Sequence, residues 1–259
     1  MTESIRFSAN LGFLWTHYDL SKAVQAASEA GFSAVEFHYP YHTDRSALRK
    51  TLDGCGIPLI GLNTHRGGDG LNGLAALPGY QAQARARIDQ AVEWASYLGA
   101  ENVHVMAGNA DGCLALAQYL NNLRYAADRA GEAGVKILIE PLNTADAPGY
   151  FLNNLAQAVN IIDSLNLSNL ALMFDCYHVS RTEGDVEHWF DRVREFVGHV
   201  QFAAKDARQE PDQACMDALR YIASTGWSKP MGAEYRPSTS QVEQSLDWMH
   251  LLQTQQASA

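Results

Sequence analysis

Four side chains that could work together each stand at the end of an apolar run in the second half of the chain. They are Glu140, Asp175, Gln201 and Glu234, and all four carry oxygen. The runs before them are rich in aliphatic residues, a pattern typical of strands buried on both faces. The repeated arrangement predicts that the four side chains converge on one site.

Three carboxylates that meet in a partly desolvated site would repel one another unless a cation lay between them. The set therefore predicts a divalent metal ion held by Glu140, Asp175, Gln201 and Glu234. Oxygen ligands, with a carboxamide in place of histidine or cysteine, favour Mg²⁺ or Mn²⁺ over Zn²⁺. Alternatively, single acids at strand ends cap neighbouring helices or pair with lysine and arginine.

The elements that would position these residues alternate between strand and helix along the whole chain. Eight strand-helix units in 259 residues are typical of a closed (β/α)₈ barrel. In such a barrel, residues at the carboxyl ends of strands share one mouth. We therefore predict an α/β protein in which residues 1–259 form one barrel domain, with the site at the mouth of strands five to eight. The alternative, an open doubly wound sheet, lacks a GxGxxG after the first strand.

The predicted helices depend on capping residues and on glycines that end helical patterns. Asp19 and Ser238 are candidate caps for the first and last helices. Eight helices are predicted, over residues 21–30, 44–53, 80–98, 114–133, 152–165, 186–197, 214–224 and 238–252. A glycine-rich loop at 65–73 separates the third strand from the third helix, and a long loop in a compact domain is usually functional or disordered.

Other polar residues near the predicted mouth are candidates for substrate contact or support. His178 could reach substrate or orient a ligand, and it could equally be a structural histidine. Arg208 could bind a substrate carboxylate through its planar fork, or be a solvated loop charge. For Glu36, His65 and His104 we expect hydrogen bonds that orient other residues.

Composition and charge exclude several classes of protein. The net charge of −10 and the lack of a basic run disfavour nucleic-acid binding. No apolar run approaches the roughly 18 residues of a membrane span, and the first residues lack a signal sequence, so we expect a cytoplasmic enzyme. The four cysteines have no zinc-ribbon or paired spacing, which predicts reduced thiols.

Short motifs along nearly the whole chain resemble the hydroxypyruvate isomerase family, within the broader xylose isomerase-like barrels. The quoted stretches include the metal-ligand candidates and the segments around them. They are SANL at 8–11, AVEF at 34–37, ALPG at 76–79, VHVMAG at 103–108, NLRYAAD at 122–128, EPLN at 140–143, PGYFL at 148–152, FDCYH at 174–178, HVQ at 199–201 and EYRP at 234–237. The most specific sign is the glutamine at 201, where related ketose 3-epimerases more often carry histidine.

The resemblance implies a metal-dependent isomerase that interconverts hydroxypyruvate and tartronate semialdehyde through an enediolate. By that similarity, Glu140 and Glu234 also act as the acid/base pair. The reaction needs a carboxylate base, a conjugate acid and an electrophile, which such a site supplies. The expected partner is a small oxo-acid or ketose substrate; a homo-oligomer stays open.

The third loop departs from the family pattern, since it is shorter and carries His65-Arg66 before its glycines. Loop length sets the room beyond the metal, so a four-carbon acid such as a 2-oxo-tetronate is an alternative substrate. Because the protein and such substrates are both anionic, local cations must offset the repulsion, and the candidates are Arg208, Lys205 and Arg66. Together with His178 and His65, Arg208 and Lys205 form the predicted substrate-binding set.

Three other functions remain as alternatives. One is a 3-epimerase of neutral ketoses. Apurinic endonucleases share this kind of barrel, but they need a histidine-rich zinc cluster and a basic surface, which the sequence does not indicate. A protein that binds sugar acids without catalysis is the third alternative, and the presence of both Glu140 and Glu234 weighs against it.

Overall fold

The computed structural model describes residues 4–254 and has the predicted architecture, a closed parallel barrel in which each strand pairs with its sequence neighbours and β1 pairs with β8. The eight strands are β1 Phe7–Asn10, β2 Ala34–Phe37, β3 Leu59–Asn63, β4 Asn102–His104, β5 Lys136–Ile139, β6 Leu170–Asp175, β7 Val197–Phe202 and β8 Met231–Ala233. The (β/α)₈ prediction is confirmed.

Nine α-helices surround the barrel within the described residues. They are α1 Leu20–Glu29, α2 Arg45–Cys55, α3 Gln81–Leu98, α4 Gly112–Glu132, α5 Leu155–Leu165, α6 Cys176–Thr182, α7 Val186–Val193, α8 Gln213–Ser224 and α9 Asp247–Thr254. Short 3₁₀ turns lie at Pro40–His42, Arg194–Phe196 and Val242–Ser245. No helix in the described part of the chain is long and apolar enough to cross a membrane.

Side-chain caps fix where many of the helices begin. The predicted cap Asp19 accepts a hydrogen bond from the Lys22 amide, which satisfies one of the free N–H groups of the first turn of α1. Asp44, Asn154, Asp185 and Asp212 do the same for α2, α5, α7 and α8. The first residues of these helices are therefore specified by local sequence.

Two helix predictions were wrong. The short helix α6 was missed because it follows β6 without a loop, and Asp175 is both the last residue of β6 and the cap of α6. The last helix does not begin at Ser238. The Ser238 amide and hydroxyl both donate to the Glu210 carboxylate, at 2.7 and 2.9 Å, and helical structure starts only at Val242.

The strands are almost entirely buried, as expected for a sheet covered by helices on the outside and filled by side chains within. Large buried side chains such as Phe7, Phe37, Phe174 and Phe202 come from the strands. All four cysteines are free thiols, as predicted. The polar residues buried in this apolar setting therefore stand out, and most of them gather at the carboxyl ends of the strands.

Candidate active site

The four predicted oxygen donors lie at the carboxyl ends of consecutive strands. Asp175 ends β6 and Gln201 lies near the end of β7, while Glu140 and Glu234 directly follow β5 and β8. Their exposed fractions are only 6% for Glu140, 2% for Asp175, 3% for Gln201 and 6% for Glu234. Ionisable side chains are seldom buried so deeply without a partner, which makes this end of the barrel the candidate site.

A cavity of about 460 Å³ opens above these residues. Glu140 and Glu234 line it, as do His178 and Arg208 from the predicted substrate-binding set. His65 and Lys205, the other two members of that set, are not part of its lining. Lys205 is exposed and borders a separate hollow, and His65 lies half-buried beside Tyr39 and Tyr41.

Glu234 is surrounded by hydrogen-bond donors. Its Oε1 accepts from Asn10 Nδ2 at 3.0 Å and lies 3.0 Å from His38 Nε2, and its Oε2 accepts from the Arg208 guanidinium. Burial acts to raise the pKa of Glu234, but the Arg208 charge and the His38 hydrogen bond outweigh burial and lower the pKa to about 2. Glu234 is therefore held as a carboxylate.

Glu140 has the opposite surroundings. Its Oε2 lies 3.5 Å from His104 Nδ1, its Oε1 lies 3.8 Å from His178 Nε2, and Oε1 has no hydrogen-bond partner although it is buried. Burial raises the pKa of Glu140 well above its ordinary value, and the neighbouring Glu234 and Asp175 carboxylates raise it further. These surroundings disfavour the charged form of Glu140.

Asp175 shares features of both glutamates. Its Oδ1 accepts from the Tyr177 amide at 2.9 Å, and its Oδ2 lies 3.3 Å from the Arg208 guanidinium. Burial raises the pKa of Asp175 to about 7, although the Arg208 charge opposes the increase. One guanidinium thus serves Asp175 and Glu234 together, while the site as a whole contains three acids.

His178 presents a protonated Nε2 to these acids. The backbone and side-chain N–H groups of Asn143 approach its Nδ1 at 3.0 and 2.8 Å, so Nδ1 must accept and the proton of the neutral ring lies on Nε2. That nitrogen is 3.7 Å from Asp175 Oδ2 and 3.8 Å from Glu140 Oε1. Burial lowers the pKa of His178 to about 3, which keeps the ring neutral.

Gln201 is oriented by Glu36, one of the residues that we expected to orient others. Gln201 Nε2 donates to Glu36 Oε2 at 2.7 Å, and Glu36 Oε1 accepts from Ser8 Oγ at 2.5 Å and lies 2.9 Å from His199 Nε2. Because its Nε2 is engaged, Gln201 presents Oε1 on the other side, and this buried oxygen has no hydrogen-bond partner. A Cβ on Gly232 would come within 2.3 Å of Glu36 Oε1, so only glycine fits there.

These features fit a divalent cation. One oxygen each of Glu140 and Asp175 and a ring nitrogen of His178 lie within 4.8 Å of one another. Two buried acceptors, Glu140 Oε1 and Gln201 Oε1, have no partner in the described residues. Buried oxygen atoms that lack hydrogen-bond donors and lie next to surplus negative charge are the ligands that a hard divalent cation prefers.

Sequence reasoning missed several residues that build the site. Asn10 ends β1 and supports Glu234, His38 follows β2 and lines the cavity, and Tyr177 donates to Asp146 Oδ2 at 2.5 Å in the cavity wall. Asn10 and His38 lie at the carboxyl ends of strands, as the four candidate ligands do, so their position in the barrel could have identified them. Tyr177 and Asp146 carried no such signal, because both lie in loops or in α6.

Comparison with known proteins identifies the family. Residues 24–252 match the model of the xylose isomerase-like TIM barrel family. The 2-oxo-tetronate isomerase of Cupriavidus necator is 39% identical, over 94% of this chain and 97% of its own. The hydroxypyruvate isomerase of Escherichia coli is 31% identical, over 95% of this chain and 98% of its own.

Solved structures share the fold of this chain. A Brucella melitensis protein described as an AP endonuclease of family 2 superposes with a TM-score of 0.91 at 30% identity, covering 95% of this chain and 98% of that one. A D-psicose 3-epimerase from Clostridium cellulolyticum, at 16% identity, shares the fold with a TM-score of 0.77, over 93% of this chain and 88% of its own. The chain belongs to the xylose isomerase-like TIM barrel family and is a sugar or oxo-acid isomerase of that family.

Proposed function

We propose that the protein interconverts a short 2-oxo acid and its isomer by moving the carbonyl group to the neighbouring carbon. The substrate is hydroxypyruvate, converted to tartronate semialdehyde, or the four-carbon 2-oxo-tetronate. Relatives named for each of these two activities, at 31% and 39% identity, support this substrate class. The carrying observation is the pair of buried glutamates, Glu140 and Glu234, that line one cavity from β5 and β8.

The reaction requires balanced proton transfers. A proton leaves C3 of hydroxypyruvate and a proton is added to C2, while the hydroxyl proton on O3 is replaced by one on O2. Glu234, held as a carboxylate by Asn10, His38 and Arg208, removes the carbon-bound proton in one direction. Glu140 delivers the proton to the other carbon, and the roles exchange in the reverse direction.

The proposed metal ligands are Glu140, Asp175, Gln201 and Glu234, with Mg²⁺ or Mn²⁺ as the ion. His178 is near three of these residues, but its Nδ1 accepts from Asn143, so the neutral ring presents an N–H group and no lone pair at Nε2. We therefore assign the fourth position to the free Oε1 of Gln201. When bound, the ion would act as a Lewis acid and stabilise negative charge on the substrate oxygens.

His178 and Arg208 are the proposed contacts to the reacting end of the substrate. His178 Nε2 donates to a substrate oxygen, since it lies beside both Glu140 and Asp175 and faces the cavity. Arg208 offsets the charge of the acids, and its guanidinium carbon lies 4.7 Å from the ring centres of both Phe13 and Tyr177. His65 and Lys205 stay predictions as substrate contacts.

Deuterium exchange tests this proposal directly. The metal-loaded protein is incubated in D₂O with a panel of oxo-acids and ketoses of three to six carbons, and label on carbon is followed by NMR. We expect incorporation with hydroxypyruvate or 2-oxo-tetronate. Exchange only with neutral ketoses would favour an epimerase, and tight binding of oxo-acids without exchange would indicate a sugar-acid binding protein.

A further inference from the structure

Two arginines line the cavity from loops on opposite sides of the barrel mouth. In a closed ring of eight strands β3 and β7 are four positions apart, so the loops that follow them lie on opposite sides. Arg66 belongs to the loop after β3 and Arg208 to the loop after β7, and both line the cavity. The acids and Gln201 all come from β5 to β8, so Arg66 lies in the half of the ring that carries none of them.

Two of the three guanidinium nitrogens of Arg208 donate to acceptors within the protein. Its Nε donates to the Glu234 carbonyl at 3.3 Å, and one terminal nitrogen donates to Asp175 Oδ2 and Glu234 Oε2. Its other terminal nitrogen lies 3.4 Å from His178 Nε2. Nε and one terminal nitrogen of Arg208 are thus engaged by Glu234 and Asp175, which leaves only the nitrogen beside His178, and not the full fork that arginine prefers for a second carboxylate.

The guanidinium of Arg66 makes fewer hydrogen bonds within the protein than that of Arg208. One terminal nitrogen donates to Asn72 Oδ1 at 3.1 Å, and the guanidinium carbon lies 5.8 Å from the centre of the Tyr39 ring. Within residues 4–254, no carboxylate lies at ion-pair distance from it. A guanidinium has five N–H donors, so those of Arg66 that Asn72 does not use remain for a ligand in the cavity.

The partner of Arg66, Asn72, is held by contacts between two loops, residues 72–73 and residues 106–109. Asn72 adopts a left-handed backbone (φ +53°) and donates from Nδ2 to Asn109 Oδ1 at 3.3 Å. Gly73 forms an antiparallel bridge to Ala107, and a Cβ on Gly73 would lie 2.4 Å from the Met106 carbonyl oxygen. The partner of Arg66 is thus anchored before any ligand arrives, which reduces the entropy lost on binding.

We infer that Arg66, held by Asn72, is the binding site for the carboxylate group of the substrate. This inference rests on the proposed function, because a short oxo-acid carries its acid group at one end of the chain. The reacting carbons lie by Glu140 and Glu234, and the acid end points across the cavity to Arg66. The planar guanidinium suits a carboxylate because it can donate two parallel hydrogen bonds.

The test uses glycerate, a three-carbon hydroxy acid without a carbonyl to isomerise, as the binding probe. Its dissociation constant is measured by isothermal titration calorimetry on the Mn²⁺-loaded protein. Loss of a charge-assisted hydrogen bond predicts that Arg66→Gln weakens binding about 10- to 100-fold. Arg66→Lys should restore part of the affinity, and Asn72→Ala should cost less than Arg66→Gln. Arg45→Gln, which removes a positive charge from an exposed pair with Glu93, is the control and should bind as wild type.

Two other cavity arginines distinguish this subsite from a diffuse positive field. Arg181 and Arg236 line the cavity from the β6 and β8 side. If Arg181→Gln or Arg236→Gln weakens glycerate binding while Arg66→Gln does not, the assignment to Arg66 is wrong. Wild-type protein that binds no glycerate, or equal losses in all three variants, would also overturn it.

Kinetics separates this inference from the proposed function. With hydroxypyruvate, Arg66→Gln should raise KM by a similar factor and change kcat little. Exchange with the neutral ketose dihydroxyacetone should be unaffected by the substitution. If the wild type exchanges no oxo-acid at all, the proposed function fails, and the glycerate affinities still decide the role of Arg66.

Discussion

Strands β5 to β8 bring the four oxygen-bearing side chains to the mouth, whereas β1 and β2 bring side chains that hold two of those four. Asn10 and His38 hold Glu234, and Glu36 holds Gln201. For Glu140 and Asp175, the one contact of this kind among the described residues comes from β4, where His104 Nδ1 lies 3.5 Å from Glu140 Oε2.

The half of the barrel that supplies the candidate ligands is therefore not the half that orients Glu234 and Gln201. The residue types that could do chemistry are concentrated in one half of the ring, but the orientation of Glu234 and Gln201 depends on side chains from the other half. Glu234, with three donors, is a preformed carboxylate, and Glu140, with an unpartnered oxygen, needs a ligand to complete its surroundings. Substitutions in the two halves should therefore have effects of different size and kind.

The largest effect is expected from the two glutamates of the ligand half. Glu140→Gln or Glu234→Gln removes a proton-transfer group and should slow exchange of the substrate's carbon-bound hydrogen about 10²- to 10⁴-fold. NMR in D₂O measures the exchange. Glu93→Gln, at an exposed glutamate outside the cavity, is the control. Wild-type exchange in either active-site variant would refute the acid/base assignment.

Asp175 should matter for the metal more than for proton transfer. Asp175→Asn removes a proposed ligand, so we expect Mn²⁺ affinity to fall by more than the roughly 10- to 100-fold typical of residues that only orient ligands. Calorimetric titration of the EDTA-treated protein with Mn²⁺ measures this. Asp53→Asn, at an exposed acid paired with Arg49, should bind Mn²⁺ normally. Unchanged affinity in Asp175→Asn would remove Asp175 from the ligand set.

Glu36, on β2, belongs to the half of the barrel that orients the candidate ligands. In Glu36→Gln, the new amide group would compete with Gln201 Nε2, so Gln201 would no longer be fixed with Oε1 turned away from residue 36. We expect Mn²⁺ affinity to fall about 10- to 100-fold, although residue 36 is not a proposed ligand. The same calorimetric titration applies. Normal affinity would show that β2 does not orient Gln201.

Gly12 should give the smallest effect of the four. A Cβ at this position would lie 2.2 Å from His38 Nδ1, so Gly12→Ala must displace the ring from Glu234. We expect the free energy of unfolding in urea to fall by about 1–3 kcal/mol, with a modest loss of exchange activity. Gly54→Ala is the matched control, since it lies in α2 with no atom within 4 Å of the added methyl, and it should not destabilise. Equal stability of the two variants would contradict the proposed clash.

Much of the fold was predictable because it follows from local signals that repeat. Apolar runs mark the strands, and caps such as Asp19 mark where helices begin. The helix α6 could not be separated from β6, because Asp175 belongs to both. Ser238 resembles a cap in sequence, yet its hydroxyl is used by Glu210, 28 residues away in the chain. Contacts at such separations are not encoded in a local pattern.

The candidate site was predictable only where residue type and strand position coincide. The oxygen donors were identified in this way, and their convergence at one end of the barrel agrees with the expectation. The interactions that decide charge and tautomer, such as Asn143 with His178 or Arg208 with Glu234, join separate loops. They depend on side-chain directions that spacing does not reveal. Gly12 likewise gave no sign that it makes room for His38.

The pairing of β1 with β8 has a consequence for the order in which the protein becomes active. Asn10 from the first strand donates to Glu234 after the last one, so this hydrogen bond exists only when the ring has closed. On the ribosome, β8 emerges after all other strands, and refolding in solution must likewise join the two ends of the sheet. Recovery of isomerase turnover during refolding therefore reports closure of the ring, whereas recovery of helical circular dichroism reports the helices alone.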